Sequence, residues 1–287
     1  MHMADSLLSP AVGGTMWAAS AGTIAFCSNK LARNLDDRKI PLMGVMGAFI
    51  FAAQMINFSI PGTGSSGHIG GGLLLAILLG PHAAFLTIAS VLVVQALFFA
   101  DGGILALGCN IFNLGIFPAF IAYPFIYKKI AGDGRHTGRT IAGAVTAAVI
   151  GLQLGALAVV LETVLSGISS LPFGGFVLLM QPIHLAIGLG EGLLTAVVIA
   201  ALAKARPEIL AETPRETGSV FGKVAAVFLV LALLTGGLLS WFASSDPDGL
   251  EWAMARTTGQ EEIAGNSGPV HVILAGVQSA LAFLPDY

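Results

Sequence analysis

Charge is what this sequence has least of. Of its 287 residues, 13 are Lys or Arg and 16 are Asp or Glu, 10% in all. A soluble domain carries about 25%. Too few charges exist to coat a water-facing surface, which argues against a soluble enzyme, a disordered chain and a nucleic-acid binder. Cysteine is scarce as well. Cys27 and Cys109 both sit in apolar runs, so no disulfide framework is implied. Positive charge is missing from the start of the chain, where the first Lys is Lys30. A secretory signal opens on a basic region, so the first residues are expected to stay. No phosphate-binding Gly-rich loop followed by Lys is present either, so the chain is not expected to hydrolyse ATP itself. What is abundant is apolar side chain, 55%, and glycine, 37 residues. That composition reads as a polytopic helical membrane protein with closely packed helices.

A spanning helix needs about 20 apolar residues. Candidate spans are 11–28, 41–58, 83–100, 104–127, 139–165, 174–203 and 220–242, with Ile69–Gly80 apolar but short. The basic residues fall into three groups: Lys30 to Lys39, Lys128 to Arg139, and Lys204 to Lys223, with Arg256 alone outside them. The positive-inside rule puts all three groups in the cytoplasm. Span 11–28 ends at the first group, so the N-terminus is expected outside. An odd number of crossings must then separate residue 58 from Lys128, and Ile69–Gly80, extended back into its glycines, has to count as one. The result is an all-α integral membrane bundle of seven helices, an eighth at 220–242 and an outer tail. Residues 204–219, with Pro207 and Pro214, read as a cytoplasmic linker. Residues 1–203 then form one domain and 220–287 an appended module. Asp246-Pro247-Asp248-Gly249 marks a turn in it, and Val270–Leu284 is too short and too polar for a convincing span.

The strongest local oddity is Pro61-Gly62-Thr63-Gly64-Ser65-Ser66-Gly67-His68-Ile69-Gly70-Gly71-Gly72. Irregular backbone near membrane depth survives only when buried in protein or lining a cavity. A flexible outer loop is one reading, and a metal site using His68 is another. Gly64-Ser65-Ser66-Gly67 also fits the Gly-x-Ser-Gly form of rhomboid-type intramembrane proteases, with Ser66 as nucleophile and His184 as base. That alternative is weak, because His184 and Gly188 lie one residue further apart than the protease pattern.

The metal reading gains from Met1-His2. A large second residue protects Met1 from removal, which leaves a free α-amine. The amine and the His2 amide close a five-membered chelate ring, and the amide and imidazole Nδ1 close a six-membered one. These are three nitrogens in one plane, and one further imidazole completes a square. Square-planar nitrogen suits Ni²⁺ or Cu²⁺ rather than Zn²⁺. His184 and Glu191, seven apart in span 174–203, share a face with each other, and ionisable groups inside a membrane are functional candidates. Asn57, Ser66, Gln95, His184 and Glu191 are therefore kept as supports of the ligands or as an alternative site. Gln54, Gln95, Asn110 and Asn113 read more simply as interhelical contacts.

These residues resemble a known family, the substrate-binding membrane component of nickel or cobalt energy-coupling-factor (ECF) transporters, of the NikM/CbiM type. The resemblance rests on Met1-His2-Met3-Ala4-Asp5, on Gln54-Met55-Ile56-Asn57-Phe58 leading into Pro61–His68, and on Gln95-Ala96-Leu97-Phe98-Phe99-Ala100-Asp101-Gly102-Gly103. The segments Asp246–Trp252 and Leu284–Tyr287 resemble the accessory NikN/CbiN component, here fused. The resemblance implies a seven-helix bundle in a prokaryotic plasma membrane. It also implies Ni(II) or Co(II) as cargo, held by Met1, His2 and His68, together with a transmembrane coupling subunit and two cytoplasmic ATPases. The family's accessory component carries a second span beyond its outer loop, which the residues up to Tyr287 do not include.

Overall fold

The computed structural model describes residues 2–33, 39–132, 134, 136–169, 171–205, 218–259 and 268–285. Met1, most of the 204–219 linker, and Glu261 and Glu262 lie outside the described residues. The architecture is mostly helical. Helix α1 runs Pro10–Ala32, α2 Lys39–Gln54, α3 Gly72–Leu79 and α4 Pro81–Phe98; α5 runs Leu107–Ala131, α6 Thr137–Ser166 and α7 Phe173–Ala205. In the C-terminal module, α8 runs Gly218–Gly237, α9 Gly249–Thr258 and α10 Pro269–Leu281. A two-stranded antiparallel hairpin joins α2 to α3, with β1 Phe58–Ile60 paired to β2 Ser65–Gly67 in the register Ser59↔Ser66.

Among the described residues, four helices are long and apolar enough to cross a membrane: Pro81–Phe98, Leu107–Ala131, Thr137–Ser166 and Phe173–Lys204. Ile40–Gln54, Gly222–Gly237 and Pro269–Leu281 are apolar but shorter. The expected span 41–58 stops early, because α2 ends at Gln54 and the chain turns into β1. The expected 69–80 crossing becomes an eight-residue helix preceded by irregular backbone. Eight residues rise only about 12 Å. Nearly every residue of α3 is buried by its neighbours, so its polar backbone is shielded by protein rather than exposed to lipid.

In lipid the apolar side chain gives little drive for helices to associate, so close backbone approach does the work. Gly188 and Gly192 of α7 supply it. A Cβ at Gly188 would come 2.9 Å from Val149 Cα, and one at Gly192 would come 2.5 Å from Val145 Cα, so α6 and α7 touch backbone to backbone. Leu185, Leu189, Leu193 and Val197 of α7 are exposed, while His184 and Glu191 are buried. The helix thus turns its polar residues inward. Helix α5 carries Pro118 and Pro124 inside it and is wound as a π-helix from Phe112 to Tyr127. Proline cannot donate an i→i−4 bond, and the wider winding accommodates that loss. Cys27 and Cys109 are free and buried.

Candidate metal centre

Two distant segments meet at His2 and His68. The first is the start of the chain. Its backbone is clamped at Met3, whose N–H donates to Asn110 Oδ1 at 2.8 Å and whose carbonyl accepts from Gly103 N at 2.9 Å. Asp5 Oδ1 accepts from Ala106 N at 2.9 Å. The segment is therefore sewn onto the loop between α4 and α5. That loop also supplies Asp101, whose carboxylate lies 3.1 Å from His2 Nδ1. Among the described residues, His2 Nε2 is buried with no hydrogen-bond partner.

The second segment is the glycine-rich loop. The hairpin ends at Gly67, and His68 follows it, only 7% exposed. A carbonyl can only accept, so the 3.0 Å contact from His68 Nδ1 to Ile69 O puts the ring proton on Nδ1. The lone pair able to ligate a metal is then on Nε2, fixed by the contact on the other nitrogen. Burial pushes the His68 pKa below its ordinary 6.5, and the adjacent His2 adds to that. The ring is neutral at neutral pH, as a ligand must be.

Below His68 the loop is anchored to α7. Glu191 Oε2 accepts from Gly70 N at 2.7 Å and its Oε1 from Gly71 N at 3.1 Å. Gln54 Nε2 donates to Gly70 O at 2.8 Å, and Gln95 Nε2 donates to Gln54 Oε1 at 2.9 Å. Gly71 adopts φ 76°, and a Cβ there would sit 2.5 Å from Ile50 Cδ1. Only glycine meets both demands.

The His2 and His68 rings stack, with centroids 4.9 Å apart and planes 8° apart. An imidazole lone pair lies in its ring plane, so the two rings direct theirs into nearly parallel planes. One ion bound by both requires a ring to turn. The expected chelate uses His2 Nδ1, which faces Asp101, so closing that ring exchanges the carboxylate for the metal. Among the described residues no three His, Cys, Asp or Glu side chains stand together as a metal cluster. The expected set needs only two side chains, because its other donors are backbone nitrogens.

The remaining candidates divide. Glu191 and Gln95 support the loop: both Glu191 oxygens hold loop N–H groups, and Gln95 reaches the loop through Gln54. Ser66 is fully buried and its hydroxyl donates to Asp246 O at 2.7 Å, so its proton goes to a carbonyl and not to a catalytic base. His184 Nδ1 contacts Met180 O at 2.8 Å, and its Nε2 is buried with no partner among the described residues. The Asn57 backbone carbonyl accepts from Ser244 N at 2.7 Å, and its Oδ1 is buried with no partner among the described residues. Asp101 is the neighbour of His2 that sequence reasoning missed, although it stands inside the quoted Gln95–Gly103 segment.

The C-terminal module covers the hairpin. Ser66 N donates to Pro247 O at 2.8 Å, extending β2 with a parallel bridge to Asp248. Trp252 Nε1 donates to Thr63 O at 3.1 Å. Asp248 caps α9 by accepting from Leu250 N and Glu251 N, with Glu251 completing a capping box. Gly249 packs over His184 and Ile183.

Comparison with known proteins points to metal transport families. A family model described as the cobalt uptake substrate-specific transmembrane region matches residues 2–209, and a PDGLE domain model matches residues 222–287. A protein of Archaeoglobus fulgidus assigned as a putative fused nickel transport protein, NikMN, is 36% identical over 85% of this chain and 77% of its own. The cobalt transport protein CbiM of Sorangium cellulosum is 32% identical over 73% of this chain and 94% of its own. The crystal structure of a truncated transition metal transporter superposes with a TM-score of 0.62 at 30% identity, covering 71% of this chain and 99% of that one.

Proposed function

This chain belongs to the cobalt-uptake substrate-specific transmembrane family, and from that membership we propose that it captures Ni²⁺ from outside the cell as the substrate-binding subunit of an ECF-type transporter. The ion is held by the Met1 amine, the His2 amide and imidazole, and His68 Nε2. The observation that carries this reading is the stacked His2–His68 pair at the end of a loop whose glycines are pinned by Glu191. The Ile69 carbonyl orients the His68 ring, and Asp101 holds His2 Nδ1 until the ion displaces it.

Capture begins with loss of ligand protons, since amine, amide and imidazole bind only when deprotonated. The His2 ring then turns from Asp101 into the chelate plane, and His68 closes the fourth position. Helices α1–α7 carry the site, the N-terminus faces outside, and α8 ties the 220–287 module over the hairpin. Energy comes from two cytoplasmic ATPases through a transmembrane coupling subunit. Co²⁺ is the second reading, favoured by the cobalt name of the relative in Sorangium cellulosum. Nickel is preferred here because nitrogen sites bind it more tightly than cobalt and because the planar donor set suits it. Equilibrium titration of the purified chain and of His68→Ala with Ni²⁺ and with Co²⁺ tests the assignment. One tight equivalent in the parent and its loss in the variant support it. Equal binding by both refutes it.

A further inference from the structure

Helix α10 is 13 residues long, about 20 Å, too short to cross a hydrocarbon core of about 30 Å. Its outward residues are apolar, with Val272 and Ile273 well exposed. Two polar side chains, His271 and Gln278, lie seven positions apart and so on one face. Both reach the protein. His271 is 5% exposed, and its Nε2 lies 2.8 Å from Leu8 O; since a carbonyl only accepts, Nε2 carries the hydrogen. Gln278 Nε2 donates to Ala96 O at 2.8 Å and to Gly102 O at 2.7 Å. Beyond the helix, Phe283 packs against Phe98 and Phe99, and Leu284 N donates to Phe98 O at 3.2 Å.

The acceptors lie on the two pieces of chain that hold His2. Leu8 follows the short helical turn Asp5–Leu7 and closes it through its own N–H to Asp5 O. Gly102 sits between Asp101, which faces His2 Nδ1, and Gly103, which donates to Met3 O. Ala96 O belongs to the last turn of α4, where helix carbonyls lack intrahelical donors. The α10 side chains thus tie the N-terminal segment and the Asp101 loop to one rigid element.

We propose that α10 is a retaining strap for the metal centre, in which His271 and Gln278 are positioning residues that hold the His2 segment against the Asp101 loop and thereby slow the escape of the bound ion. The strap rests on the reading that His2 is a ligand. It acts on the backbone behind the ligand and not on the donor nitrogens. Its removal therefore changes how fast the metal leaves without changing what the metal is bound to.

The test uses the full chain with its native N-terminus, loaded with Ni²⁺ alone. Gln278→Leu and His271→Phe keep bulk and remove the donors; His271→Gln restores one. The readouts are the rate of Ni²⁺ transfer to excess EDTA, the visible spectrum of the bound ion, and amide hydrogen exchange at Met3 and Gly103 before metal is added. The strap requires transfer at least about 10-fold faster in Gln278→Leu and in His271→Phe, in the range found when supporting partners of ligands are lost. It requires an unchanged spectrum, faster exchange at Met3 and Gly103 with α6 and α7 unaffected, and partial recovery in His271→Gln. Folded variants that release nickel at the parent's rate overturn the strap alone. A parent that binds no nickel overturns the metal reading and the retaining role together.

Discussion

The imidazoles of His2 and His68 stand face to face, 4.9 Å between centroids and 8° from parallel. The contacts around them serve that meeting. Asn110, Asp5 and Gly103 fix the chain start, while Glu191 and Gln54 fix the glycine-rich loop. Both side chains are largely buried, and the backbone that follows each is held.

In the proposed ligand set, the His68 imidazole is the one donor that does not come from the first two residues. His68→Ala is expected to weaken Ni²⁺ binding by more than about 100-fold, beyond the loss seen for supporting partners. Isothermal titration at neutral pH measures it; a loss smaller than about tenfold contradicts the role given to His68.

In the structure Glu191 holds the glycine-rich loop through Gly70 N and Gly71 N. Glu191→Gln replaces one acceptor oxygen by a donor that faces a glycine N–H. The expected cost is about 1.5–3 kcal/mol, the range for a hydrogen bond to a charged group, together with weaker nickel binding. Thermal unfolding in detergent, with and without Ni²⁺, separates the two effects. A variant as stable as the parent would show that the Gly70 and Gly71 contacts carry little.

Asp248 caps α9 directly after the residues that grip the hairpin, and its carboxylate also interacts with His68. Asp248→Ala removes the side-chain acceptor for Leu250 N and Glu251 N, at about 1 kcal/mol. Hydrogen exchange should quicken through α9 and at Ser66 N, whose partner Pro247 O precedes the cap. Quickening in α9 without any change at Ser66 would mean that the strand extension stands independently of the helix.

Acid should loosen the site. Burial holds the folded His68 pKa below 6.5, so as pH falls through about 6.5 the unfolded chain takes up a proton that the folded chain refuses. The unfolded state then binds more protons, and stability falls with falling pH through that window. Metal affinity falls over the same range as the amine and imidazoles compete for protons. Thermal midpoints measured between about pH 7.5 and pH 5 should decline, and His68→Gln should flatten the slope. An equal slope in that variant would place the titration elsewhere.

Much of this site was legible in the sequence, for chemical reasons. Met1-His2 suggests a chelate because its donors are adjacent in the chain, and the structure brings His2 against His68; the glycines before α3 announce backbone buried in protein. His184 and Glu191 share an inward face of α7 by spacing alone. What was not legible came from contacts between distant segments. Asp101 meets His2 only because Gly103 and Asn110 hold Met3. Glu191 reads as a possible ligand until both its oxygens are seen on Gly70 and Gly71. Ser66 reads as a nucleophile until its hydroxyl is seen on the Asp246 carbonyl. The α2 boundary was overshot by the apolar run through Phe58, which the hairpin uses as a strand. Residues 270–284 were too short to be read as a span, and they fold into the short helix α10 and its Phe283 contact instead.

Whether the α-amine of Met1 and the two imidazoles hold the ion is decided by Ni²⁺ titration of the chain with its native N-terminus beside a copy carrying Gly-Ser ahead of Met1. The extension keeps every side chain and moves only the α-amine. One equivalent bound by the native chain and lost from the extended chain is the expected result. Equal binding by both would contradict it, since Met1 could not then be a ligand.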